Sequence, residues 1–160
     1  MKIMDAGTLA GMAEAARAAP RRRIHATLHE DLTDPVQRVA IALQPGTYVR
    51  PHRHADGVWE MFAVLDGALA LLTFDDDGRV TRRVELRPGG DRLAQVPPGI
   101  WHSVVALTAD TLAFEVKPGP YRATTDKDFA AWAPAEGEAA APAMVAWMEQ
   151  AGEGATPLSR

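Results

Sequence analysis

The chain has 160 residues, a formal net charge of -4 and no cysteine, enough for one compact domain that needs no disulfide to hold it. The acidic balance argues against a general nucleic-acid or anionic-membrane binder, and no apolar stretch approaches the ~20 residues of a spanning helix. Without thiols, any metal must be held by imidazole and carboxylate, so the positions of the five histidines matter.

Residues 5–19 predict a short amphipathic helix. Leu9, Met12, Ala13 and Ala16 fall at i, i+3, i+4 and i+7, with Asp5 or Thr8 as cap and Pro20 as stop. Arg21, Arg22 and Arg23 follow as a basic turn, solvated or anion-binding. From about residue 36 to 117 the pattern changes to strands. Val39, Ile41 and Leu43 alternate with Arg38, Ala40 and Ala42 before the turn Gln44-Pro45-Gly46. The runs 59–65 and 68–74 flank Asp66-Gly67, a hairpin signal. Asp75–Gly78 turns into Val80–Leu86, and the strands Trp101–Leu107 and Thr111–Lys117 complete the series. In the last of these Leu112, Phe114 and Val116 share one face, while Glu115 and Lys117 form a polar pair on the other.

Short strands with turns about every ten residues predict an all-β sandwich or barrel. Tyr121, Phe129 and Trp132, spaced among prolines, make residues 118–138 an ordered strap. Residues 139–151 predict a final helix with Pro142 early and Met144, Trp147 and Met148 as its apolar stripe; the last nine residues should fray. The expected domain is single: an N-terminal helix and lead-in strand over 1–35, a barrel over 36–118, and a strap plus helix over 119–160 packed on it. With no basic segment leading an apolar run at its start, a cytoplasmic protein is expected.

Three histidines carry the chemistry. His52 and His54 are two apart, so on a strand both face one side. Glu60 shares its parity with Phe62 and Val64, and His102 with Val104 and Ala106. A carboxylate among apolar neighbours is costly unless paired or bound to a cation. Three imidazoles facing it into one cavity would answer that cost with a divalent metal. Arg50 and Tyr48 share the parity of His52. Arg50 could bind a carboxylate or phosphate bidentately and Tyr48 could supply a phenolic acid or pack in the core. Arg53 and Trp101 should point away from the cluster, whereas Arg38 suits either face. His25 and His29, at i and i+4, lack a third ligand and read as packing or surface residues.

The punctuation around these residues is as telling as the ligands. Residues 46–67 read G-T-Y-V-R-P-H-R-H-A-D-G-V-W-E-M-F-A-V-L-D-G, and 90–102 read G-D-R-L-A-Q-V-P-P-G-I-W-H. Together they resemble the two motifs of the cupin superfamily: glycines that turn corners, His-x-His, a Glu, and a Pro-x-Gly turn delivering the last His. Three departures stand out. Five residues separate His54 from Glu60, so the loop at Asp56-Gly57 is enlarged; the stretch from Gly90 to Pro97 is one residue longer than the motif's usual spacing; and the motif's closing Asn is absent, since the chain contains none. The runs 29–38 (H-E-D-L-T-D-P-V-Q-R), 43–54, 74–80, 114–121 (F-E-V-K-P-G-P-Y) and 133–138 are similar to the WbuC-type cupin fold metalloproteins. These are small bacterial proteins often encoded near surface-polysaccharide genes, without a settled reaction.

The resemblance implies a cupin jelly-roll β-barrel with His52, His54, Glu60 and His102 as ligands. Fe, Mn, Ni, Co or Zn would suit such an all-N/O set with an open position. The expectation is a homodimer acting on a small anionic or sugar-like ligand, as an isomerase or epimerase with Arg50 and Tyr48 as candidate catalytic groups. An Fe(II) dioxygenase and a non-catalytic metal-stabilised binding module are the alternatives.

Overall fold

The computed structural model describes residues 1–54, 57–123, 125 and 128–157. Helix α1 (Ala6–Ala18) begins at Asp5, whose carboxylate accepts the Thr8 N–H at 2.8 Å. Eight strands follow: β1 (Arg23–Thr27), β2 (Val36–Leu43), β3 (Glu60–Asp66), β4 (Leu69–Phe74), β5 (Val80–Leu86), β6 (Leu93–Val96), β7 (Trp101–Ala106) and β8 (Thr111–Pro118). Helix α2 (Ala141–Gln150) closes the order with a proline in its first turn. The strands form two antiparallel sheets, β1-β2-β8-β3-β6 and β5-β4-β7. This is the expected jelly roll, with one qualification: the two sheets are not hydrogen-bonded into a closed barrel.

The alternation of side chains explains the layers. Ile41 and Leu43 of β2, Phe62 and Val64 of β3, and Leu69 and Leu71 of β4 meet between the sheets. Their neighbours face outward. Ala40, Ala42 and Leu112 receive Met12 and Ala16 of α1, so the small residues on β2 let the helix approach closely. Ala70, Leu72 and Val105 lie under Met144, Val145 and Met148 of α2, together with Ala130 and Ala133 of the strap. β4 and β7 are therefore buried on both faces, which is why they read as continuous apolar runs.

Two expectations are corrected. Asp66-Gly67 does not close a hairpin, because β3 pairs with β6 and β8 while β4 pairs with β5 and β7. The dipeptide instead carries the chain from one sheet to the other. Gly67 has φ +71°, and a Cβ there would lie 2.7 Å from Thr111 Oγ1, so tertiary packing at the corner selects glycine as strongly as a tight turn would. The chain beyond α2 does not simply fray either. Val80 N–H donates to Ala155 O (2.9 Å) and Gly154 N–H to Val80 O (2.8 Å), tying Gly154 and Ala155 to the edge of β5; 158–160 lie outside the described residues.

Candidate metal centre

The site is built by a short ladder outside the named strands. His52 and His102 exchange both backbone hydrogen bonds, at 3.0 and 2.8 Å. Side chains of such an antiparallel pair lie on the same face, and the two rings stand 4.4 Å apart, centroid to centroid. Phe129 bridges the other edge of His52, held by Arg53 N–H to Asp128 O and Ala130 N–H to Pro51 O, both 2.9 Å. The strap thus supplies a further strand against the His52 segment. Gly99 N–H donates to His54 O at 3.1 Å, anchoring the Pro-x-Gly turn to the second histidine.

One donor atom from each of His52, His54, Glu60 and His102 lies within 4.8 Å of the others. Two donors bound at ~2.1 Å to one ion can be no more than ~4.2 Å apart, so a contraction of well under an ångström would close the cluster on a cation. The hydrogen bonding agrees. His52 Nδ1 lies 3.0 Å from Arg50 O and His102 Nδ1 lies 2.9 Å from Ile100 O. A carbonyl only accepts, so both Nδ1 atoms carry protons and both Nε2 atoms can offer lone pairs, the arrangement that orients imidazole ligands. His102 Nε2 faces Glu60 Oε2 at 2.9 Å. A neutral ring would set two acceptors against each other there, so the contact requires a second ring proton or a cation. His54 Nε2 is buried 3.3 Å from Glu60 Oε1, off the hydrogen-bond direction, and has no hydrogen-bond partner among the described residues. These four residues fit a divalent metal. Without thiolate, they suit the harder and borderline first-row ions.

Lys117 belongs to this centre. Its Nζ lies 3.0 Å from Glu60 Oε1 and 2.8 Å from Glu115 Oε1. Burial alone would lower the lysine pKa, but the two carboxylates outweigh it and hold the ammonium charged. Burial, then the charge of Glu60, raises Glu115 to about 8. Burial would also raise Glu60, yet its contacts with His102 and His54 and the Lys117 charge bring it well below the usual range. His52 is pushed down to about 3, by burial first and then by His102.

The polar pair on β8 was legible, but its direction was not. Ala113 packs between the sheets while Leu112 and Phe114 face α1. The apolar parity of β8 is therefore its outer, helix-covered face, and Glu115 and Lys117 point inward. The missing signal was the pairing of β8 with β3, in which Glu115 lies opposite Phe62.

The other candidate residues divide. Arg50 stacks on Phe129, 5.0 Å from its centroid, and Nη2 donates to Ala130 O at 3.2 Å. Of the two readings of Tyr48, the packing one describes its place: its ring is in the core and its hydroxyl donates to Pro134 O at 2.8 Å. Arg53 lies over the Trp101 ring at 4.2 Å, and Trp101 Nε1 donates to Asp76 Oδ1. Arg38 pairs with Asp34 at 3.2 Å. His29 is buried, with Nδ1 accepting the Arg38 N–H at 3.0 Å, and His25 sits on β1 opposite Ile41; neither joins the cluster. Asp56 of the enlarged loop lies outside the described residues.

A cavity of about 370 Å³ borders His54 and Lys117, and Arg53, Arg122 and Asp128 add charge to its wall. No helix among the described residues is long and apolar enough to cross a membrane.

The fold recurs in solved structures. The chain is similar to the TT1209 protein of Thermus thermophilus (22% identity, TM-score 0.54, covering 74% of this chain and 97% of that one). It is also similar to KdgF from Halomonas sp. (19% identity, TM-score 0.50, 65% and 84%). A mutant of Bacillus subtilis oxalate decarboxylase OxdC matches at 22% identity and TM-score 0.51, over 68% of this chain and 28% of that one. At these identities the likeness is one of fold, the cupin jelly roll. No curated protein matches the sequence. A family model does match residues 4–86, from α1 through β5 and including His52, His54 and Glu60. By that match, over just more than half its length, the chain belongs to the family described as a domain of unknown function, DUF6016.

Proposed function

We propose that this chain is a metal-dependent cupin enzyme that moves a proton on a small anionic or sugar-like metabolite, an isomerase or epimerase in class. The observation that carries the reading is the juxtaposition of the His52/His54/Glu60/His102 cluster with a cavity walled by Lys117, Arg53 and Arg122. A bound divalent ion would polarise an oxygen of the substrate. The chain's own residues bind and orient the substrate: Arg53 and Arg122 attract an anionic group, and the Lys117 ammonium, held charged by Glu60 and Glu115, stands at the cavity wall as a hydrogen-bond donor. Arg50 lies on the other side of His52 and is assigned no step.

The assignment to the WbuC type, with its link to surface-polysaccharide metabolism, is part of the same proposal. It is supported by the sequence runs at 29–38, 114–121 and 133–138. A homodimer and a cytoplasmic setting belong to the same proposal; the first is tested by light scattering on the purified chain.

The decisive experiment has two readings. Elemental analysis before and after reconstitution with Fe, Mn, Ni, Co and Zn should give a stoichiometric metal, lost in His54→Ala. NMR in D2O should then show deuterium entering the carbon beside the carbonyl of a member of a panel of sugars and sugar acids. Failure to hold any metal removes the proposal at its base. A stoichiometric metal with no exchange across the panel removes the proton-transfer assignment and favours a binding module.

A further inference from the structure

A second cavity, of about 230 Å³, lies against His52 and shares no lining residue with the first. Its charged wall is made by Arg21, Arg23, Arg50 and Glu136, with Phe129 beside them. Three guanidiniums thus face one carboxylate, an excess of two positive charges. Glu136 is taken by Arg21 (Nε–Oε1 2.6 Å, Nη2–Oε2 2.7 Å) and by Arg23 (Nη2–Oε2 3.1 Å). Arg23 is 7% exposed and held from behind by Tyr48 O at 2.8 Å. Arg50 has no carboxylate within ion-pair distance among the described residues; its Nε is buried without a hydrogen-bond partner, and its Cζ lies over the Phe129 ring at 5.0 Å from the centroid.

Converging like charges in a partly buried cavity repel one another, and the arrangement relaxes when an anion enters. The guanidinium fork matches tetrahedral oxyanions better than a point charge does. We propose that this cavity is a phosphate site, taking inorganic phosphate or the phosphoryl group of a small phosphomonoester. A dianion matches the excess charge, whereas a carboxylate would neutralise only half of it. The site is separate from the metal reading, because its charged residues include no metal donor and its test uses metal-free protein.

Calorimetric titration of the metal-free full chain with inorganic phosphate, at constant ionic strength, should give saturable binding of one phosphate per chain. Arg50→Gln should weaken it at least about tenfold, the worth of one charge-assisted contact. Arg82→Gln, at an exposed position of β5 that lines neither cavity, should leave it unchanged, and Glu136→Gln should tighten it by freeing two forks. Acetate should bind at least about tenfold more weakly than phosphate. Thermal melts establish that each variant is folded, and if Arg50→Gln is not, the exposed Arg21→Gln takes its place with the same expectation. Glycerol phosphate binding more tightly than inorganic phosphate identifies a metabolite ester; the reverse identifies free phosphate. Absence of saturable binding overturns the proposal, as does equal affinity for acetate or a loss as large in Arg82→Gln as in Arg50→Gln.

Discussion

His102 Nε2 stands 2.9 Å from Glu60 Oε2, and neither side chain is more than 2% exposed. In metal-free protein this contact holds a buried carboxylate in place through a shared proton. His102→Ala should therefore destabilise the metal-free form by ~2 kcal/mol, the cost of stranding a buried polar group, as read from urea unfolding. Metal at about a hundred times its Kd should stabilise the wild type by ~2.7 kcal/mol and His102→Ala by much less. Equal metal stabilisation of the two proteins would remove His102 from the ligand set.

Lys117 is the one ammonium within ion-pair distance of Glu60 and Glu115 among the described residues. Removing it leaves Glu60 held by His102 alone and takes the hydrogen-bond donor from Glu115, and breaking such a network from one side costs ~3 kcal/mol or more. Lys117→Met should show that loss in the metal-free protein, and Lys117→Met with Glu115→Gln should recover part of it. The recovery separates the electrostatic cost from lost packing of the lysine stem, which both proteins share.

The ligand set was readable because strand parity and turn chemistry are local. His52 and His54 sit two apart, Glu60 keeps the parity of Phe62, and Gly99 in its Pro-x-Gly turn leads to His102. What escaped was the part decided by partners distant in sequence. Lys117 points inward because β8 pairs with β3, and a helix on the outer face gave that face the apolar parity normally taken for the core. The Asp66-Gly67 corner failed for the same reason: its composition suits a hairpin, and only the separation of β3 and β4 into different sheets decides otherwise. Tyr48 has two readings from its parity with His52, and the distant strap distinguishes them: Pro134 O accepts its hydroxyl and the core takes the ring.

Gly67 provides a test of that corner. With φ +71° and Thr111 Cα 2.8 Å from a built Cβ, Gly67→Ala brings both a left-handed backbone penalty and a clash with main chain, which cannot swing aside. The expected loss is ~2 kcal/mol or more, read as a lowered urea midpoint with an unchanged slope. Retention of wild-type stability would show that the corner can re-form without the left-handed residue.

Glu136 ties the strap to the N-terminal arginines and should make that attachment sensitive to acid. Burial acts to raise its pKa, but the hydrogen bond from Arg21 and the charge of Arg23 outweigh it, leaving the folded value below the usual 4.5. The folded state therefore binds fewer protons at this group than the unfolded state. Its stabilisation is full above pH 4.5 and is lost as pH falls through the lower, folded value. Comparing urea midpoints of the wild type and Glu136→Gln from neutral pH downward should show a gap that narrows below pH 4.5. Salt should narrow the gap at neutral pH only in part, because Arg21 is 60% exposed while Arg23 is 7% exposed and screening acts mainly on the exposed pair. A gap that stays constant through the acid limb would mean that Glu136 acts through packing of the strap and not through its charge.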